Sequence, residues 1–210
     1  MEYTRQLILV PILHTMADMG TMAEGLEAAY VERFGRRHWE EFRALVDGFW
    51  PMVRANLDAL SLDYHRVDLY QDGLPVCGRE LEIVQKAAAA GSDNHQLLLD
   101  LLAKGAALMG TEDPSLLLEE YRRVQSALKP NGGGPARFAP AGPAAQASQG
   151  REMLNTRDAY IGGRIGQTLL PRRTGLLFLG MMHDVESHLP EDIIVRRVIP
   201  PILASRAKGR

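Results

Sequence analysis

One short stretch constrains the fold more than any other: the unbroken apolar run Leu7-Ile8-Leu9-Val10-Pro11-Ile12-Leu13, rich in branched side chains. A half-exposed strand alternates polar and apolar residues. A run that is apolar throughout reads as a strand covered on both faces, as in parallel sheets flanked by helices. Pro11 cannot donate to a central ladder, so the strand is expected to end or kink near it. Further along, Arg66-Val67-Asp68-Leu69-Tyr70-Gln71 alternates and reads as a second strand, left through Asp72-Gly73 and Pro75. Leu176–Leu179 and Ile193–Ile199 read as two more strands in the same sheet.

Helices fill the intervals. Thr21-Met22-Ala23-Glu24 has the pattern of a capping box, opening a helix that runs to Phe34 and stops at Gly35. Trp39, Phe42, Val46, Phe49, Val53, Leu57 and Leu60 recur at steps of three or four and form one helical face, with Pro51 expected to kink or divide the helix. That face reads as core. If it were instead a subunit interface, the chain would be a homo-oligomer. Glu80–Ala90, His95–Met109 and a helix opened by Asp113-Pro114 follow. Lys129–Gly150 is rich in Gly, Pro and Ala and lacks the apolar side chains that would offset its ordering entropy. It reads as a disordered insertion, and its place before Arg157 makes it a candidate lid. A last helix is expected over Arg151–Leu169. The order of elements predicts an α/β fold with a largely parallel sheet, 1–128 and 151–210 forming one domain around the insertion at 129–150.

Composition removes several functions. Across 210 residues, 24 Lys+Arg and 26 Asp+Glu nearly cancel, which argues against a nucleic-acid partner despite a basic C-terminal end. The longest apolar run is far below the roughly 20 residues of a membrane span, so no membrane partner is expected. With no secretory leader pattern at the start, a cytoplasmic location is expected. The single Cys77 excludes an internal disulfide and a cysteine zinc site, and reads as a small buried hydrophobe.

The informative coincidence lies where each apolar strand stops. The first runs into His14 and Asp18, the second contains Tyr70 and runs into Asp72, and Leu176–Leu179 runs into Gly180-Met181-Met182-His183-Asp184. Open α/β sheets bind ligands beyond the carboxyl ends of their strands. If the strands are parallel neighbours, His14, Asp72 and His183 meet on one rim. Arg157-Asp158-Ala159-Tyr160 starts a helix after the insertion, and Arg164 lies two turns further on nearly the same face. An arginine so placed could clamp a carboxylate or phosphate. Gly162, Gly163 and Gly166 suggest close packing against the sheet, since Gly-Gly-Arg-Ile-Gly is not a dinucleotide fingerprint. His183, Asp184 and His188, joined by His14 from across the rim, form a candidate divalent-metal set of imidazole and carboxylate. Against it, His-Glu-x-x-His is absent, and a spacing of five does not share a helical face. No Gly-x-Ser-x-Gly elbow and no phosphate-binding loop occur.

These residues resemble the TraB/TIKI and erythromycin-esterase-like superfamily. Its members pair a His at the end of the first strand with a later Gly-x-x-His, here Gly180–His183, after a helix bearing Arg-Asp, here Arg157-Asp158. Pro11-Ile12-Leu13-His14 departs from that pattern by carrying Pro where Gly is usual, and Asp18 or Glu24 would have to supply the acidic partner. The resemblance implies a hydrolase, with or without metal. One histidine is then base to a water. The other histidine and Arg157 polarise a small-molecule or peptide substrate, while Asp184 or Asp158 orients a ring nitrogen. Asp18, Tyr70, Asp72, Asp158, Tyr160 and Arg164 are the candidate substrate-binding residues. The rival reading is a non-catalytic ligand-binding or regulatory module.

Overall fold

The computed structural model describes residues 4–13, 18, 23–128 and 143–198. Five strands form one sheet: β1 (Arg5–Ile12), β2 (Val67–Gln71), β3 (Ala107–Met109), β4 (Thr174–Gly180) and β5 (Ile193–Arg197), in the order β3-β2-β4-β1-β5. Every neighbouring pair is parallel. β4 is therefore central, with Thr174 facing both Gln6 of β1 and Val67 of β2. Six helices complete the fold: α1 (Ala23–Phe34), α2 (Arg36–Asp58), α3 (Glu80–Ala89), α4 (Asp93–Ala103), α5 (Pro114–Leu128) and α6 (Pro143–Thr168). No helix among the described residues is long and apolar enough to cross a membrane.

The strands sort their side chains by parity, as a pleat requires. Ile8, Val10 and Ile12 of β1, Val67 and Leu69 of β2 and Leu176 and Phe178 of β4 join α2, α3 and α4 in one core. Leu7 and Leu9, Tyr70, Leu177 and Leu179 join Ile161, Ile165 and Leu169 of α6 in the other. This double coverage is the physical reason the first strand has no polar position between Leu7 and Ile12.

β1 runs one residue past Pro11 and ends at Ile12, close to that proline as expected. The Arg5 N–H donates to Asp192 O and the Val198 N–H donates to Leu9 O, so the odd residues of β1 direct their backbone groups toward β5. Pairing with β5 stops at Leu9 opposite Arg197. Among the described residues, Pro11 thus turns its missing donor to the side of β1 where pairing with β5 has stopped.

Several expectations need correcting. Pro51 lies inside an undivided α2, whose buried residues Trp39, Val46, Phe49, Trp50, Val53 and Leu57 stay on one face to its end. That stripe is core. The helix expected over His95–Met109 stops at Ala103, and Ala107–Met109 is the edge strand β3. Gly105, at φ +106, makes the turn, and a Cβ there would lie 2.5 Å from His65 Nδ1. β2 is buried at all five positions, so its alternation does not mark an exposed face. Asp68 is instead paired with Arg173, Nη2 to Oδ1 at 2.7 Å. Helix α6 begins at Pro143, so 143–150 of the expected insertion are helical: proline fits a first turn, and Ala and Gln are good helix formers. The remainder of that insertion, Thr21 and Ile199 lie outside the described residues. Cys77 is exposed.

Candidate functional site

A buried cluster of charge occupies the carboxyl edge beside β4. Asp72 follows β2 directly, and its own N–H extends the ladder by donating to Phe178 O at 2.9 Å. Glu112 leaves β3. The N–H groups of Thr111 and Glu112 donate to Leu74 O, and the Val76 N–H donates to Glu112 O, so the exits of β2 and β3 are stitched together. Asp158 continues the inward stripe of α6 formed by Ile161, Ile165 and Leu169, which buries a carboxylate where the sheet stops. His183 arrives from the turn after β4.

These residues interlock. Arg157 grips Glu112 in a fork, Nε to Oε2 at 2.6 Å and Nη2 to Oε1 at 2.8 Å, and Nη2 also reaches Asp72 Oδ1 at 3.0 Å. Asp72 Oδ2 accepts the Gly180 N–H at 3.0 Å, and Glu112 Oε1 accepts the Gly73 N–H at 2.6 Å. His183 Nδ1 lies 2.5 Å from Asp158 Oδ1, while Asp158 Oδ2 accepts the Asp184 N–H at 2.9 Å. His183 Nε2 stands 3.5 Å from Asp72 Oδ2, beyond an ordinary N–H···O bond. The Glu112 side chain is 1% exposed and that of Arg157 11%.

Three carboxylates share two cationic partners here, and the ionisations respond. Burial pushes the His183 imidazole down, but Asp72 and Asp158 outweigh it and leave it above its ordinary value. Burial raises Glu112, and the Asp72 charge adds to this against the pull of Arg157. Burial also opposes the charge on Arg157, yet Glu112 and Asp72 more than restore it. The two ring nitrogens of His183 lie in different settings: Nδ1 is tightly bonded to Asp158, while Nε2 faces Asp72 at 3.5 Å.

Of the residues singled out from sequence, Asp72, Arg157, Asp158 and His183 come together. Arg164 stands beside them, its Nε donating to Gly110 O at 3.2 Å where β3 exits. Others do not join. Asp184 is exposed and offers its backbone N–H; Asp158 is the carboxylate that orients His183. Arg157 is no free clamp, because its Nε and Nη2 are occupied by Glu112 and Asp72. Tyr70 is wholly buried inside β2, bonded to Thr168 Oγ1 at 2.9 Å, and burial pushes its hydroxyl up to about 12. Asp18 pairs instead with Ser92 and with His95 Nδ1 at the start of α4. Tyr160 is half-buried and takes no part in the cluster's hydrogen bonds. His14 lies outside the described residues.

The described members of the metal set, His183, Asp184 and His188, do not come together. His188 Nε2 lies 3.2 Å from Asn155 Oδ1, far along the 3₁₀ turn Val185–His188, while His183 is held by Asp158. Among the described residues, no group of three or more His, Cys, Asp or Glu side chains is arranged to hold an ion. The α6 glycines serve that same turn rather than the sheet: a Cβ on Gly162 would lie 2.7 Å from His188 O, and one on Gly166 2.8 Å from Pro190 Cγ. Gly163 faces open space.

Glu112 is the member that sequence reasoning missed. Had Ala107–Met109 been read as a strand, Glu112 would have stood after it as Asp72 stands after β2. A cleft of about 230 Å³ opens beside the cluster, lined by Leu9, Pro11, Leu179, Gly180, Met181, His183 and Arg197. Compared with protein-family models, with curated proteins and with solved structures, the chain matches none.

Proposed function

We propose that this chain is a hydrolase of a small-molecule or peptide substrate, with His183 as its acid–base group. One observation carries the reading: Asp158 fixes Nδ1 of a buried histidine, while Nε2 is opposed only at 3.5 Å, beside a cleft. A base held by an orienting carboxylate, with its other nitrogen available, is the arrangement that hydrolysis by an activated water requires. In the step, Nε2 takes a proton from water as the water oxygen bonds to the substrate carbonyl. The bond to the leaving atom, an ester oxygen or a peptide nitrogen, then breaks, and the proton passes from Nε2 to that atom. Arg157 acts as a positioning residue that holds Asp72 and Glu112. The resemblance of Gly180–His183 and Arg157-Asp158 to the TraB/TIKI and erythromycin-esterase-like pattern supports the same reading.

A ligand-binding module without catalysis is the second reading. It is favoured by the occupation of Arg157, whose Nε and Nη2 are taken by Glu112 and Asp72. Rates on p-nitrophenyl acyl and phosphate esters decide between them. Hydrolysis by the wild type should fall about 10²- to 10⁴-fold in His183→Asn. Equal rates in the two proteins would remove the hydrolase reading.

A further inference from the structure

The cleft beside His183 has a direction as well as a volume. It lies on the α6 side of the sheet, since Leu9 and Leu179 belong to the core that α6 covers. β1 is followed by a connection through α2 on one face, and β4 by the 3₁₀ turn packed on the other. The connections leaving these two paired strands therefore go to opposite faces, and such a switch point opens a crevice for ligands. β5 lies on the far side of β1, so Arg197 and His183 stand at opposite ends of the crevice. Three strands in sequence, β4-β1-β5, place these ends roughly 10 Å apart, two strand spacings.

The ends differ in chemistry and the floor is hydrocarbon. Between them lie Leu9, Pro11 and Leu179. Met181 lines the mouth, and it and Met182 are exposed by 58% and 82%, unusual for adjacent large apolar side chains. Arg197 is 52% exposed, with Nη2 on Glu186 Oε1 at 2.7 Å. Glu186 Oε1 is buried and takes only Nη2, so an entering anion meets the remaining N–H groups of the exposed Arg197 side chain. At about 230 Å³ the cleft is below the usual range for drug-sized ligands.

We propose that the cleft takes a short unbranched acyl chain ending in an oxyanion, the oxyanion on Arg197 and the scissile carbonyl beside His183. This assignment rests on the hydrolase reading for its chemistry but not for its binding. An extended chain advances roughly 1.2 Å per bond, so about eight bonds separate carbonyl and anion. The guanidinium fork receives either a carboxylate or a phosphate-type oxyanion in two parallel bonds. The charge also favours the β5 end: beside His183 an anion would meet Asp72, Glu112 and Asp158, whereas beside Arg197 it meets Glu186 alone.

The test uses p-nitrophenyl monoesters of succinate, adipate and suberate, with p-nitrophenyl octanoate as the uncharged control, and monomethyl suberate and its ω-phosphonate analogue as binding probes. Binding to the full chain is followed by the His183 Hε1 proton resonance. The suberate monoester should exceed the octanoate and succinate esters in kcat/KM by roughly ten- to hundredfold, the worth of a charge-assisted pair. In Arg197→Gln that ratio should fall to about one, and Arg197→Lys should restore part of it. The phosphonate arm reports which oxyanion Arg197 prefers. Probes that bind with Arg197 dependence while no ester is cleaved would uphold the cleft assignment and end the hydrolase reading. Esters cleaved through His183 without regard to the terminal charge or to Arg197 would overturn the assignment and leave that reading standing. Neither binding nor cleavage overturns both.

Discussion

The two edges of the sheet use the same residues differently. At the amino edge, Arg5 lies against Asp192 at 2.6 Å and donates to Gly166 O and Leu169 O, while Arg173 grips Asp68 and reaches His65 O and Val67 O. Each arginine meets one carboxylate and uses its remaining donors on carbonyls at element ends. Charge is balanced, and no group there is held in tension with its neighbours. At the carboxyl edge, one arginine is shared by two carboxylates, and a third carboxylate is left to a histidine. The first arrangement fastens α6 and the β4–β2 edge. The second leaves negative charge in excess, which lifts His183 above its ordinary value and adds to the burial that raises Glu112.

Breaking the unbalanced edge should do the most damage. Arg157→Met leaves Asp72 and Glu112 buried without their cation, and removing one partner of such a pair costs about 3–5 kcal/mol. Urea unfolding should show it, and a midpoint within error of wild type would mean that the cluster is not the ionic unit described. Asp158→Asn keeps the shape but removes the charge opposite Nδ1. The loss in hydrolysis should be about 10²- to 10⁴-fold, with the His183 resonance titrating at a lower pH than in wild type. An unmoved titration would show that Asp158 does not set the proton affinity of His183.

The balanced edge should yield less. Arg173→Met leaves Asp68 its burial without its fork, a cost of about 1–3 kcal/mol by thermal or urea unfolding; a loss as large as that of Arg157→Met would erase the contrast between the edges. Smaller still is the effect of pH. The folded chain holds the His183 proton more tightly than the unfolded chain does. The stabilisation is therefore whole below about pH 6.5 and is lost as pH rises from there through the raised folded value. Unfolding midpoints between pH 6 and 9 should decline in wild type and flatten in His183→Asn. The activity limb that reports free base should likewise rise at a pH above 6.5. At the bottom of the series, Arg37→Ala, which loses only an exposed helical pair with Glu41, should leave the midpoint unchanged.

What could be read from the sequence follows the same division. β1 and β4 declare themselves because they are apolar along nearly their whole length, as doubly covered strands commonly are, whereas β2, equally covered, carries Asp68 and Gln71. His183, Asp72, Arg157 and Asp158 were legible because they stand where such strands stop or just inside a helix. β3 was not, because Ala-Leu-Met prefers helix in isolation and only its three pairings with Asp68, Leu69 and Tyr70 make it a strand. Glu112 was hidden with it. Trp50 escaped the helical stripe because it neighbours Phe49, and packing between α2 and α4 buries both. Tyr70 misled for a related reason. In an alternating strand its hydroxyl suggested a rim position, whereas the second face is covered by α6 and the hydroxyl is taken by Thr168.

Pro11 has an effect that reaches beyond its own strand. A cleft whose wall is bare backbone invites strand addition, whether by a lengthened β5 or by an extended segment of another chain. Among the described residues, the β5 side of β1 beyond Leu9 presents a proline nitrogen without a proton where an intruding carbonyl would seek a donor. The crevice thus stays accessible to side-chain-scale ligands while rejecting a peptide backbone in strand register. A single Pro11→Val substitution would restore the donor and turn the floor of the cleft into a template for self-association.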